Sequence, residues 1–361
     1  MKRHKNDVYI IAEAGVNHNG RMDLALDLVQ AAAEVGADAI KFQTFKAERL
    51  ATSTVEKASY QKQTTDAQES QKDMLAKLEL PLSCYGELQR FAHQLGIEFL
   101  STAFDEDSLD FLTTLHLPVY KVPSGELTNA PLLWRFAKTF KPLIVSTGMA
   151  TLSEVELALA IIHYAWQHDH EPRHLDDIWS FWSDGSFHDV LKDKVTLLHC
   201  TSQYPTPWNE VNLRAMDTLA NAFGTKVGYS CHTLGTVIPI AAVARGAKII
   251  EKHLTLDRNL PGPDHKASIE VGEFKAMVSD IRALELALGN GLKAPQKSEL
   301  DTRNQVRQSI IAAEHLPCGK KIERSDVTTK RAGHGLSPSN YWNLLGSTTK
   351  KVYEPGDLLE L

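Results

Sequence analysis

Two histidines, two lysines and four carboxylates stand at or near the ends of short apolar runs in this 361-residue chain. His232 closes "KVGYSCH" and His253 closes "AKIIEKH". Imidazoles at equal height on neighbouring parallel strands, ~4.8 Å apart, can reach one cation. Two such ligands with open positions suit Mn²⁺, Zn²⁺, Fe²⁺ or Co²⁺ as a Lewis acid; the alternative is two ordinary hydrogen-bonded histidines. Lys41 and Lys121 sit in equivalent runs, with Thr102, Ser124 and Ser146 nearby in register. Ammonium groups supply charge and hydroxyls supply direction, so this set can hold a phosphate and a carboxylate together. The competing use of such a lysine is a Schiff base, favoured if the two lysines depress each other's pKa. Glu13, Glu126, Glu251 and Asp264 can orient a ligand or move a proton, and spacing does not say which does what.

Residues this far apart in sequence need a scaffold that gathers them. Eight apolar runs are spaced along the chain: 8–15, 38–44, 97–102, 119–126, 142–148, 194–201, 226–232 and 247–253. Between them lie stretches of helical period such as Leu24–Val35, Tyr85–Leu95, Glu154–Ile162 and Thr236–Ala244, and a last one over Val271–Leu288. Alternating strand and helix patterns predict βα units with parallel strands, and eight of them fit a (β/α)8 TIM barrel. An open doubly wound sheet is the alternative, but no G-x-G-x-x-G follows the first run. Every run ends in polar residues, and a closed barrel brings all eight carboxyl ends to one face.

Two connections are long. Residues 45–82 follow the second strand and can form a lid over that face; residues 166–193, rich in His, Asp and Trp, fall on the opposite face and read as a solvated insertion or a contact surface. The barrel is predicted over 1–288, a polar linker over 289–305, and a small β-rich domain over 306–361. That domain has a thin core of its own and is expected to dock on a barrel. The basic start "MKRHKND" leads into an apolar run too short for a secretory signal. A net charge of −6 and mean hydropathy of −0.25 argue against nucleic acid or a membrane as partner. Cys84, Cys200, Cys231 and Cys318 form no C-x-x-C and read as reduced thiols of a cytoplasmic protein.

The stretches "IAEAGVNHNG", "IKFQTFKAERL", "STAFDEDSLDFL", "YKVPSGEL", "VSTGMAT", "LHCTSQYPTP", "IEKHLTLD", "PGPDHKAS" and "TTKRAGHGLSP" occur in this order over nearly the whole chain. The sequence thereby resembles the sialic acid synthase family, which includes N-acetylneuraminate, legionaminate and pseudaminate synthases. The resemblance implies a transferase that condenses phosphoenolpyruvate with an N-acylated hexosamine, releasing phosphate by C–O cleavage. N-acetylmannosamine is the first expectation; a 2,4-diacetamido-2,4,6-trideoxyhexose, giving legionaminate or pseudaminate, is the alternative. It also implies that the small domain is an antifreeze-like (SAF, β-clip) domain, arranged in a domain-swapped homodimer.

By the same resemblance His232 and His253 are metal ligands, with Mn²⁺ as the cofactor. Phosphoenolpyruvate contacts fall on Lys41, Lys121, Thr102, Ser124, Ser146 and Ser202. Sugar contacts fall on Gln43, Tyr204 and Asp264. Glu13 and Glu126 are candidate proton handlers, and Arg331 reaches the partner's barrel to hold the acyl group. Cys231 stands where many members carry Asp, and Ala332 and His334 stand where Pro and Asn are common. A Schiff-base aldolase and a non-catalytic sugar or ice binder are the competing classes.

Overall fold

The computed structural model describes residues 8–66, 68–185 and 187–361. The basic start read above, residues 1–7, lies outside the described residues, as do Ala67 of the 45–82 connection and Ser186 of the 166–193 segment. The chain divides into two compact units, one ending at Gly289 and one beginning at Asn290.

In the first unit eight parallel strands follow one another around a ring: β1 (Tyr9–Gly15), β2 (Ala39–Thr44), β3 (Glu98–Ala103), β4 (Tyr120–Val122), β5 (Leu143–Ser146), β6 (Val195–His199), β7 (Lys226–Cys231) and β8 (Ile249–Thr255). β1 pairs with both β2 and β8, which closes the barrel. A two-residue strand, β9 (Ile269–Glu270), adds to the end of β8. The helices follow the predicted periodic stretches, with Met22–Glu34, Leu82–Gln94, Leu152–Gln167, Val237–Ala244 and Val271–Leu288 among them.

Side chains alternate along each strand, so every second residue faces the barrel interior. Ile10, Ala12, Ile40, Phe42, Phe99 and Val145 point outward and join one large core with the helices. Tyr9, Ile11, Ala39, Leu100, Ile144, Leu198 and Ile249 point inward and form a separate apolar cluster. That cluster plugs the lower barrel. Two residues further along each strand, parity places Glu13, Lys41, Thr102, Ser146, Ser230 and Glu251 directly above it. Gly228 makes the closure possible at β7: a Cβ there would lie 2.5 Å from the Ile249 carbonyl oxygen and 2.6 Å from Leu198.

The long connections differ from each other. The 45–82 connection folds into three short helices, Ala47–Leu50, Ser59–Thr64 and Gln71–Leu78. It is pinned by Lys57, whose side chain is fully buried against Thr65, Glu69 and the Asp66 carbonyl. The 166–193 segment is not the solvated insertion expected from its composition. It forms helices Leu175–Trp182 and Phe187–Lys194. Ile178 and Trp182 are buried in the main core, and Phe181 stacks on His163 at 4.9 Å. Its apolar residues recur at helical spacing within the polar sequence, and that spacing decides the outcome.

The second unit has its own core of Ile310, Leu316, Ile322, Val327, Leu344, Tyr353 and Leu359 around an antiparallel pair, β10 (Gln308–Ala312) and β11 (Val327–Arg331). Arg331 ends β11 and is exposed.

Candidate active site

A cavity of about 400 Å³ opens at the carboxyl ends of the strands. Its floor is a buried line of alternating charge. Lys41 Nζ lies 2.6 Å from Glu13 and 3.5 Å from Glu251, and it donates to Thr102 Oγ1 at 2.9 Å. Lys121 Nζ lies 3.1 Å from the other oxygen of Glu251, which also accepts from Ser230 at 2.8 Å. All four charged groups are almost wholly buried. An ammonium has three donors; Lys41 gives one to Thr102 and faces two carboxylates, and both lysines keep donor capacity for a ligand.

Burial disfavours the charged form of every member, and the partners decide who keeps its charge. Burial pushes the Glu251 carboxyl up, but Lys121 and Lys41 outweigh this and hold it well below the usual carboxylate range. Burial likewise works against the Lys41 ammonium, yet Glu13 and Glu251 outweigh it and raise its pKa. Glu13 ends above its ordinary value, through burial that Lys41 only partly offsets and through the neighbouring Glu251. The expectation that the two lysines depress each other fails for Lys41, because carboxylates stand beside it. A raised lysine pKa disfavours the free amine that a Schiff base requires.

Above the floor stand His232 and His253, their ring centroids 5.6 Å apart. Nδ1 of His232 pairs with the Thr201 carbonyl at 2.7 Å, which fixes that nitrogen as the donor and leaves Nε2 its lone pair. Nδ1 of His253 is buried with no hydrogen-bond partner among the described residues; Asp264, at 3.9 Å, is too far for one. Burial holds both rings neutral: it lowers His232 to about 4, and burial together with His232 takes His253 well below its ordinary value. Neutral imidazoles with free lone pairs are what a divalent cation requires. Among the described residues no group of three or more His, Cys, Asp and Glu is arranged for a metal.

The walls carry hydroxyls and an aromatic stack. Ser146 Oγ is buried and unpartnered in the cavity. Ser124 Oγ accepts from the Gly148 amide at 3.0 Å and sits 3.2 Å from Cys200 Sγ. Ser202 lines the same wall. A Cβ on Gly148 would lie 2.4 Å from Ser202 Oγ and 2.8 Å from Ser124 Oγ, so any side chain there would displace these two hydroxyls. Tyr204 stacks on His232 at 4.1 Å, and its ring lies tilted against that of Tyr60, from the 45–82 connection, at 5.1 Å. Gln43 donates to Glu13 at 3.3 Å. Asp264 is buried in an adjoining recess with Glu126, which accepts from Asn129 at 2.7 Å. The loop carrying Asp264 is tied down by His265, paired with Thr255 at 2.8 Å, and by Ser268, paired with Asn17 at 2.9 Å. Burial, then Glu13, raises Asp264 to about 7.

The structure therefore gathers Glu13, Lys41, Gln43, Thr102, Lys121, Ser124, Ser146, Ser202, Tyr204, His232 and His253 in one cavity, with Glu126 and Asp264 in the recess beside it. Arg331 belongs to the other unit. Ser101 and His199 end strands but face outward: Ser101 pairs with Thr44, and His199 with the Val211 carbonyl. Cys231 also faces outward, 3.3 Å from the buried amine of Lys252. Its sulfur touches that lysine and Thr233, and the ring of His232 donates its hydrogen bond to a different loop. Tyr60, Gln61 and Gln71 of the 45–82 connection and Cys200 were not singled out from sequence, although Cys200 has the inward parity of Leu198.

A closed parallel barrel that gathers two ammonium groups, two neutral imidazoles and a hydroxyl wall at its carboxyl mouth defines a barrel enzyme with its site at that end. Residues 28–293 match the NeuB family. The chain is 45% identical over 350 residues to a Campylobacter jejuni protein named N,N'-diacetyllegionaminic acid synthase, covering 97% of this chain and 98% of that one. It is 47% identical over 351 residues to a Legionella pneumophila protein of the same name, covering 97% and 93%. The crystal structure of a sialic acid synthetase from Leptospira borgpetersenii superposes with a TM-score of 0.67 at 31% identity, covering 83% of this chain and 93% of that one. The chain belongs to the NeuB family, the sialic acid synthases, and is a transferase of that class.

Proposed function

We propose that the protein condenses phosphoenolpyruvate with a 2,4-diacetamido-2,4,6-trideoxyhexose to give a legionaminate-type nonulosonic acid and phosphate. The carrying observation is the convergence of the Glu13–Lys41–Glu251–Lys121 line with the His232–His253 pair in one cavity. The two relatives at 45% and 47% identity favour the diacetamido sugar over N-acetylmannosamine, the first expectation.

In this reading Lys121 and Lys41 hold the carboxylate and phosphate, aided by Thr102, Ser124, Ser146 and Ser202. Such positioning converts a bimolecular step into a nearly unimolecular one. Gln43, Tyr204 and Asp264 orient the open-chain sugar so that its aldehyde carbon faces C3 of phosphoenolpyruvate. The C3–C1 bond forms, and the aldehyde oxygen takes a proton from Glu13 or Asp264, both of which hold protons more tightly than free carboxyls. Water adds at C2 with Glu126 as the nearby base, and the C2–O bond to phosphate breaks. His232 and His253 hold the divalent cation, Mn²⁺ in our reading, which when bound polarises the aldehyde. The small domain is read as antifreeze-like, and its exposed Arg331 as the residue that completes a partner's site in a domain-swapped dimer. Four free cysteines support reading the enzyme as cytoplasmic; among the described residues no helix is long and apolar enough to cross a membrane.

The test is phosphate release and product mass with Mn²⁺, phosphoenolpyruvate and either sugar. Turnover with the diacetamido sugar at a higher kcat/KM supports the proposal. Exclusive turnover of N-acetylmannosamine refutes it.

A further inference from the structure

The "VNHNG" end of the first motif and the "PGPDHKAS" motif lie far apart in sequence, and of these residues the proposed condensation uses only Asp264. In the fold they meet in a buried polar clamp. Asn17, in the turn after β1, is buried and gives both N–H donors of its amide to other segments. One goes to the Leu254 carbonyl at 2.9 Å, the other to Ser268 Oγ at 2.9 Å. Ser268 Oγ donates in turn to the Asp264 carbonyl at 2.7 Å. The amide oxygen of Asn17 is buried with no partner among the described residues, so this side chain acts as a double donor. Both branches end at the site. Leu254 directly follows His253, and Asp264 Oδ2 stands 3.9 Å from His253 Nδ1. The ring of His232 is oriented by its own bond to the Thr201 carbonyl. His253 Nδ1 has no such bond among the described residues, so the direction of that ring depends on its backbone and its packing. Gly15 of β1 closes in on the same ring: a Cβ there would lie 3.3 Å from His253 Cε1.

We infer that Asn17 is a positioning residue for the condensation: its amide sets the spacing between His253 and Asp264 by holding the backbone beside each. The inference rests on the proposed function for the part Asp264 plays toward the sugar. An aspartate at 17 has the same shape but at most one donor, so it cannot hold both branches. A misplacement of about 1 Å in such a site costs up to about a hundredfold in rate. The groups read as holding phosphoenolpyruvate come from β2 to β6 and the turns after them, and Asn17 bonds to none of these.

The test reads steady-state kinetics for each substrate and calorimetric titration with Mn²⁺ alone. Asn17→Asp should lower kcat/KM for the sugar by about tenfold or more, weaken Mn²⁺ binding, and leave the KM for phosphoenolpyruvate unchanged. Ser268→Ala cuts only the branch to Asp264, so it should lower kcat/KM for the sugar and leave Mn²⁺ binding as it was. In an Asp264→Ala background Ser268→Ala should have no further effect, because no carboxyl remains to be positioned. A merely structural role predicts the opposite: the Ser268→Ala and Asp264→Ala losses multiply, and Asn17→Asp changes stability or both KM values alike. Either result overturns the inference while turnover of the sugar leaves the proposed function standing. Absence of phosphate release with every acetamido sugar overturns both together. Where Asn17→Asp fails to fold, the Ser268–Asp264 cycle decides.

Discussion

Glu251→Gln isolates the charge line beneath the cavity. The carboxylate lies 3.1 Å from Lys121 and 3.5 Å from Lys41. At an effective dielectric near 20, each attraction is about 5 kcal/mol before desolvation is subtracted. Glutamine keeps the shape and the Ser230 hydrogen bond but removes the charge. Lys121 then has no counterion, and Lys41 has only Glu13. Removing one partner of a buried pair costs about 3–5 kcal/mol. The cavity mouth lets water return to Lys121, so the low end, about 3 kcal/mol, is expected. The folded-state pKa of Glu251 is lowered, so its contribution is full above the ordinary carboxylate pKa and fades as pH falls toward the folded value. The gap between wild type and variant in urea denaturation should therefore be widest near neutrality and narrow below about pH 4. Adding Lys121→Met should recover much of the stability and none of the activity. A loss under about 1 kcal/mol at pH 7, with an unchanged KM for phosphoenolpyruvate, would refute the reasoning.

Three further outcomes are expected. Asp264 has a raised folded pKa, about 7, so it binds protons more tightly when folded and costs stability as pH rises from about 4 to 7; in cation-free protein Asp264→Asn should flatten that slope in pH-dependent melting curves. Gly148→Ala drives a methyl into Ser124 and Ser202, and should lower kcat/KM for phosphoenolpyruvate by about tenfold or more at a nearly unchanged melting temperature. Arg331→Ala should raise the KM for the sugar and leave both the fold and the KM for phosphoenolpyruvate as they were, read by steady-state kinetics and circular dichroism.

The barrel was legible because its strands carry two periods at once. Outward residues such as Ile10, Phe42 and Phe99 alternate with inward ones that change from apolar to charged along each strand, as Ile11 gives way to Glu13 and Ile249 to Glu251. That change locates the cavity floor from sequence alone. Parity also separates true members from strand-end residues such as Ser101 and His199, a distinction that counting polar ends misses. The pairing of Glu251 with both lysines was hidden, since it depends on how long side chains cross the barrel. Tyr60 was hidden for another reason. It reaches the site through its ring contact with Tyr204, a meeting of segments 144 residues apart that no local pattern encodes. The 166–193 segment misled by composition: its charges face water, and its few apolar residues do the packing.

Oxygen labelling tests the central claim most directly. Phosphoenolpyruvate carrying ¹⁸O at the oxygen bridging C2 and phosphorus is incubated with the diacetamido sugar and Mn²⁺, and phosphate and product are weighed by mass spectrometry. Cleavage of the C2–O bond in the cavity of Lys41, Lys121, His232 and His253 places the label in the released phosphate, and only when both substrates are present. Label retained in the sugar acid, or phosphate released without any sugar, would contradict the condensation.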